Sequence, residues 1–125
     1  MRIRLVNRQS KSSGFTLLEL IVVVGILGIL AAIAIQQFAI YRGRVVDATM
    51  RSDLKNAAIA MESYYGDLLE YPASVNAIQL HGFRKTIGVT LTISVPSPST
   101  FTLTATMPNG TQPNFTFDST TGLIN

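Results

Sequence analysis

Residues 15–35 read FTLLELIVVVGILGILAAIAI, a run of 21 residues with a single charge at Glu19. About 20 apolar residues in a helix span the hydrocarbon core of a bilayer, so this segment is long enough to cross a membrane. The run also explains the composition of the 125-residue chain, which is 47% hydrophobic and only 14% charged. Arg2, Arg4, Arg8 and Lys11 precede it with no acidic residue among them. Basic residues on that flank favour a cytoplasmic N-terminus and place the residues after Gln36 outside, with Arg42 and Arg44 opposing the bias.

Outward from the run, no proline or turn cluster interrupts the chain before Gly66. The residue types between favour helix, so one helix is expected over 15–66 with Gly66 as its stop. Beyond Arg44 the pattern becomes amphipathic: Leu54, Ala58, Met61, Tyr65 and Leu68 recur at spacings of four and three. Arg51, Lys55, Glu62 and Ser63 lie off this stripe, and Asp47 and Arg51 are spaced to pair across one turn. After Pro72, Ser74 is expected to cap a short helix that runs through Leu80 and ends at Gly82.

From Val89 the period changes to two. Val89, Leu91, Ile93 and Val95 alternate with Thr90, Thr92 and Ser94, and after Pro96-Ser97-Pro98-Ser99 so do Phe101, Leu103, Ala105 and Met107 with Thr102, Thr104 and Thr106. Pro108-Asn109-Gly110 turns the chain into a third strand at Phe115 and Phe117, and Leu123-Ile124 adds a short fourth. A sheet with one apolar face and a helix with one apolar stripe bury each other. The expected fold is α+β, a long N-terminal helix packed on a small antiparallel β-meander. Its divisions are a basic leader at 1–14, the helix at 15–66 with a transmembrane segment at 15–35, and a globular head at 67–125.

Without residues 1–14 the chain holds six basic and seven acidic residues, a net charge of −1. Nucleic acid is therefore not an expected partner. The absence of cysteine excludes a disulfide, a thiolate metal site and a cysteine nucleophile. His81, the only histidine, has neither a second ligand nor a carboxylate beside it in the sequence, and Asp67 with Glu70 are too few for a cation site. With no metal or cofactor site, no nucleophile and base, and no phosphate loop, the reading is of a protein that is not an enzyme. Asn109-Gly110-Thr111 and Asn114-Phe115-Thr116 fit the N-glycosylation acceptor pattern, and Arg84-Lys85 is the one basic pair of the head.

The stretch Lys11-Ser12-Ser13-Gly14-Phe15-Thr16-Leu17-Leu18-Glu19, continuing into the apolar run, resembles the class III signal of type IV pilins, and the likeness extends from Lys11 to Phe38. The resemblance implies that a prepilin peptidase cuts between Gly14 and Phe15 and methylates the new amino group of Phe15. It implies that Glu19, a carboxylate at membrane depth that normally demands a partner, attracts the Phe15 ammonium of a neighbouring subunit during assembly. The implied partners are further copies of the chain in a helical filament, a pilus assembly platform with its ATPase, and the inner membrane before assembly. The implied destination is an extracellular pilus serving adhesion, motility or surface contact.

Gly25, Gly28 and Ala32 fall near one helical face and suit close packing between membrane helices. The chain departs from the common pattern at Gln36, where many pilins carry a proline, and in lacking a late cysteine pair. One rival is a type II secretion pseudopilin, disfavoured by the absence of tryptophan and of a calcium loop. Another is a minor pilin or tip receptor for DNA or surfaces, working through Arg84 and Lys85. A third is a secreted protein cut near Ala32-Ile33-Ala34, opposed by Glu19 and by an apolar run longer than an ordinary signal core.

Overall fold

Uninterrupted helix-forming residues produce α1, Leu17–Leu68, in a computed structural model that describes residues 14–125. Most of the expected leader, with Arg2, Arg4, Arg8, Lys11, Ser12 and Ser13, lies outside the described residues. The chain divides into two units, one ending at Gln36 and the other comprising Gln37–Asn125. In the first, every described side chain is exposed, from Leu17 at 75% to Ile35 at 71%. Exposure of that much contiguous apolar surface marks a segment whose surroundings are something other than water.

In the second unit the α1 residues Met50, Leu54, Ala57 and Met61 are fully buried, at spacings of four, three and four. They join one core with α2, Val75–Leu80, through Ile78, and with Leu91, Phe101, Leu103, Ala105 and Phe115 of the sheet. The sheet is an antiparallel meander in the order β1 Thr90–Ser97, β2 Thr100–Thr106, β3 Asn114–Asp118 and β4 Leu123–Ile124. Its register aligns Leu91, Ala105 and Phe115 across three strands on the core face. On the other face it aligns Thr92, Thr104 and Thr116, with the last two hydroxyls 3.3 Å apart. The α+β architecture follows from the two periodicities meeting at one core.

Four expectations are corrected. The helix passes through Gly66 to Leu68, and the left-handed residue that ends it is Leu69, at φ 58, whose N–H bonds the Tyr65 carbonyl at 2.8 Å. Leu68 is 54% exposed, so the buried stripe stops at Met61 and half-buried Tyr65 and is extended at its other end by Met50. Asp47 and Arg51 form no ion pair. Asp47 is taken by Thr111, and the Arg51 guanidinium lies 4.1 Å over the Phe115 ring, where the face of the aromatic attracts it. Ser74 precedes α2 in extended backbone, yet its hydroxyl makes no capping bond.

Tyr65, Tyr71, Phe101 and Phe117 pack ring against ring, at centroid distances of 4.6, 4.7 and 5.9 Å in turn. The Tyr71 hydroxyl donates to Glu62 at 3.1 Å. Burial and the neighbouring carboxylate both raise the Tyr71 pKa, because each penalises the phenolate. The chain therefore anchors its connecting loop without a disulfide.

The positions of Leu54 and Leu68 lead to opposite outcomes for the same substitution. Leu54→Ala should destabilise the chain by about 2–5 kcal/mol, as for any fully buried leucine. Leu68→Ala should change stability by less than about 0.5 kcal/mol. Thermal unfolding of the detergent-solubilised chain, followed by circular dichroism, separates the two.

Candidate functional site

Thr16 begins the helix. Its hydroxyl accepts the Glu19 N–H at 3.2 Å, while Glu19 Oε2 accepts both the Thr16 N–H and the Thr16 hydroxyl at 2.9 Å. This is the reciprocal capping box, in which the N-cap residue and the third helical residue satisfy each other's free donors. Thr16-Leu17-Leu18-Glu19 carries the S/T-x-x-E signal for it, a signal that is missed when Glu19 is taken as a lone carboxylate. Both Thr16 bonds fall on Oε2, so Glu19 Oε1 accepts none among the described residues.

Gly14 and Phe15 stand immediately before this cap, Phe15 with 89% of its surface exposed. Gly25, Gly28 and Ala32 lie in α1, all exposed, and a side chain added at either glycine would meet nothing within 4 Å. At about 100° per residue the three fall within roughly 60° of arc, so the backbone is bared along one strip of the helix. Among the described residues α1 is the one helix long and apolar enough to cross a membrane. Glu19, Gly25, Gly28 and Ala32 thus lie on α1, with Gly14 and Phe15 directly before it: a capped carboxylate on the first turn, then an apolar rod with a small-residue strip.

The head holds a different chemistry. Asp53, 3% exposed, accepts the N–H and the hydroxyl of Thr86, each at 2.8 Å. Asp47 does the same for Thr111, taking its N–H at 2.8 Å as well as its hydroxyl. Asp118 takes the N–H and hydroxyl of Thr120 at 2.8 and 2.6 Å. In each case a carboxylate clasps one threonine by two donors, which are charge-assisted bonds and so stronger than neutral ones. The Asp47 clasp requires glycine at 110, since a Cβ there would lie 2.7 Å from Asp47 Oδ1 and 3.0 Å from the Gln112 carbonyl. The Asp53 and Asp47 pairings do not show in sequence, because partners 33 or 64 residues apart meet only after the chain folds.

The other charged groups of the head lie in smaller groupings. His81 Nδ1 lies 3.4 Å from Asp67 and its ring 4.9 Å from that of Tyr64, so it does gain a carboxylate, contrary to expectation. The physical cause is the turn after α2, which returns His81 to the end of α1. Arg84 and Lys85 are exposed beside Gly82 and Phe83. Among the described residues no three His, Cys, Asp or Glu side chains are placed to share a metal.

The prokaryotic N-terminal methylation motif matches residues 9–35 of this chain. A type IV major pilin of Myxococcus xanthus is 37% identical over 78 residues, covering 62% of this chain and 34% of that protein. The type II secretion system core protein G of Pseudomonas aeruginosa is 35% identical over 72 residues, 58% of this chain and 51% of its own length. The type IV wide pilus major component of Thermus thermophilus is 32% identical over 101 residues, 80% of this chain and 77% of that protein. The chain thus spans about a third and about half of the first two and most of the third.

The clasps give stability a pH dependence. At Asp47 burial raises the carboxyl pKa, but the Thr111 bonds, the Gln112 N–H and the charge of Arg51 outweigh it and leave it below the ordinary 3.8. At Asp118 the Thr120 hydroxyl and N–H lower it likewise. A carboxyl depressed on folding contributes stability above its unfolded pKa and loses it as pH falls through the folded one. The melting temperature should therefore fall as pH drops below about 4, and Asp47→Ala should lower it at pH 7 while flattening the acid decline. Melting curves of both chains between pH 7 and pH 2 check this.

Proposed function

Because the chain belongs to the type IV pilin family, we propose that it is the structural subunit of a type IV pilus, acting by assembly and not as an enzyme. The single observation that carries this reading is the junction Gly14-Phe15 set directly before a capped, exposed apolar helix. In this reading residues 1–14 are a leader and a prepilin peptidase removes it between Gly14 and Phe15. The enzyme then methylates the Phe15 amino group. The segment 15–35 holds the precursor in the inner membrane as a single pass, and residues 67–125 form the head carried to the outside.

Glu19 has two tasks. Through Oε2 it caps its own helix, and through Oε1 it accepts the Phe15 ammonium of a neighbouring copy as that copy enters the filament. An assembly platform and its ATPase supply the work of extraction. Contacts between helices replace the lipid contacts that are lost, with Gly25, Gly28 and Ala32 admitting a neighbour closely. The filament would serve adhesion, motility or surface contact.

A secretion pseudopilin is the second reading, favoured by the 35% identity to the core protein of a type II secretion system. The pilus reading is preferred because the likeness to the wide-pilus component runs over 80% of this chain against 58% for the secretion protein.

Intact mass and N-terminal sequence of the protein from cells test the processing: the expected result is a methylated chain beginning at Phe15, and a chain beginning near Ile35 overturns it. Substitution at Glu19 separates its two tasks. Glu19→Gln keeps an acceptor for the capping box but removes the charge, whereas Glu19→Ala removes both. Both variants should be processed yet yield few filaments in sheared fractions, with an added loss of helix stability confined to Glu19→Ala. Normal filaments from Glu19→Gln would show that the charge is dispensable.

A further inference from the structure

We propose that the C-terminal end of α1 in one copy of this chain docks on the Phe38–Val45 stretch of α1 in a second copy, as a repeating head-to-tail contact. The proposal rests on the reading of the chain as a filament subunit and specifies a contact within it.

The first surface lies at the end of the helix. Leu68 and Leu69 are 54% and 77% exposed, Leu80 is 88% exposed beside His81, and Asp67 and Glu70 flank them. Leu69 holds φ 58, a left-handed conformation that leucine adopts at a cost, and among the described residues its side chain stays largely uncovered. The patch is thus apolar with a negative margin.

The second surface has the opposite sign. Phe38, Tyr41 and Val45 are 63%, 65% and 49% exposed, and their spacing with Arg42 puts all four on one face of α1. That face is distinct from the one on which Gly43 and Met50 are buried. The only ion pair among the described residues joins His81 and Asp67, so neither Arg42 nor Glu70 has an ion-pair partner there. An aromatic surface bearing a cation thus matches a leucine surface bearing carboxylates.

Neither patch complements itself, and each complements the other. Such a pair makes a heterologous contact, which propagates into an open filament and does not close into a dimer. With Arg42 of one copy beside Glu70 of the next, the two chains are offset along the helix direction by roughly 40 Å at 1.5 Å per residue. Opposite charges set that register, while the apolar groups supply the contact area.

The absence of cysteine makes the test direct. Arg42→Cys and Glu70→Cys are introduced together into the full chain, and filaments are sheared from cells, mildly oxidised and run without reductant. A ladder of disulfide-linked multimers, missing from each single variant, is the expected result. Filaments that assemble but run only as monomer overturn the docking and leave the filament reading standing. A wild-type chain that forms no filaments overturns both. Charge reversal is the second readout: Arg42→Glu should cut filament yield about tenfold at unchanged precursor level and circular dichroism, and Glu70→Arg in the same chain should restore it. No loss, or no restoration, overturns the pairing.

Discussion

One continuous helix has to satisfy two different surroundings, and most of the structure answers that demand. From Leu17 to Ile35 α1 offers apolar side chains on every side and buries none of them. From Met50 to Met61 it offers one stripe, and that stripe is fully buried. A helix apolar all round requires lipid or other helices, whereas a helix with one stripe requires a partner layer in its own chain. The sheet is that layer. Its alternation of apolar and hydroxyl residues supplies a single dry face, and the threonines keep the other face wettable.

The head is small and has no covalent staple, so its loops need another means of attachment. Aspartate supplies it. Asp47 and Asp53 reach from the helix to Thr111 and Thr86, and Asp118 closes the turn before β4. Each carboxylate takes two donors from one threonine, which fixes the backbone and the side chain together. Burying Asp53 without those donors would cost several times what a neutral group costs, so the clasp and the burial depend on each other.

A similar arrangement governs the N-terminus. A carboxylate entering an apolar helix is costly alone, and the Thr16 capping box offsets part of that cost, while Oε1 accepts no bond among the described residues. Glu19 is thereby held at a defined place on the first turn. The helix start and the beginning of the apolar run fall on the same five residues, Phe15 to Glu19. The head adds surface, and the sign of its charges varies along α1, from Arg42 near its base to Glu70 just past its end.

Much of this was determined by sequence alone. The apolar run, the lone Glu19 and the switch from a period of three and four to a period of two are local patterns. Local patterns survive in one dimension because backbone geometry repeats them. The four strands and the α+β class followed directly. Tertiary structure decided where burial ends and who pairs with whom. Gly66 has the residue type of a helix stop, but the helix continues to Leu68 and Leu69 takes the left-handed turn. Asp47 stands one turn from Arg51, yet two donors from Thr111 outweigh one exposed cation. Asp53 and His81 carry no sign of their partners in the sequence, since contacts between separate elements depend on the packing of layers and not on spacing along the chain.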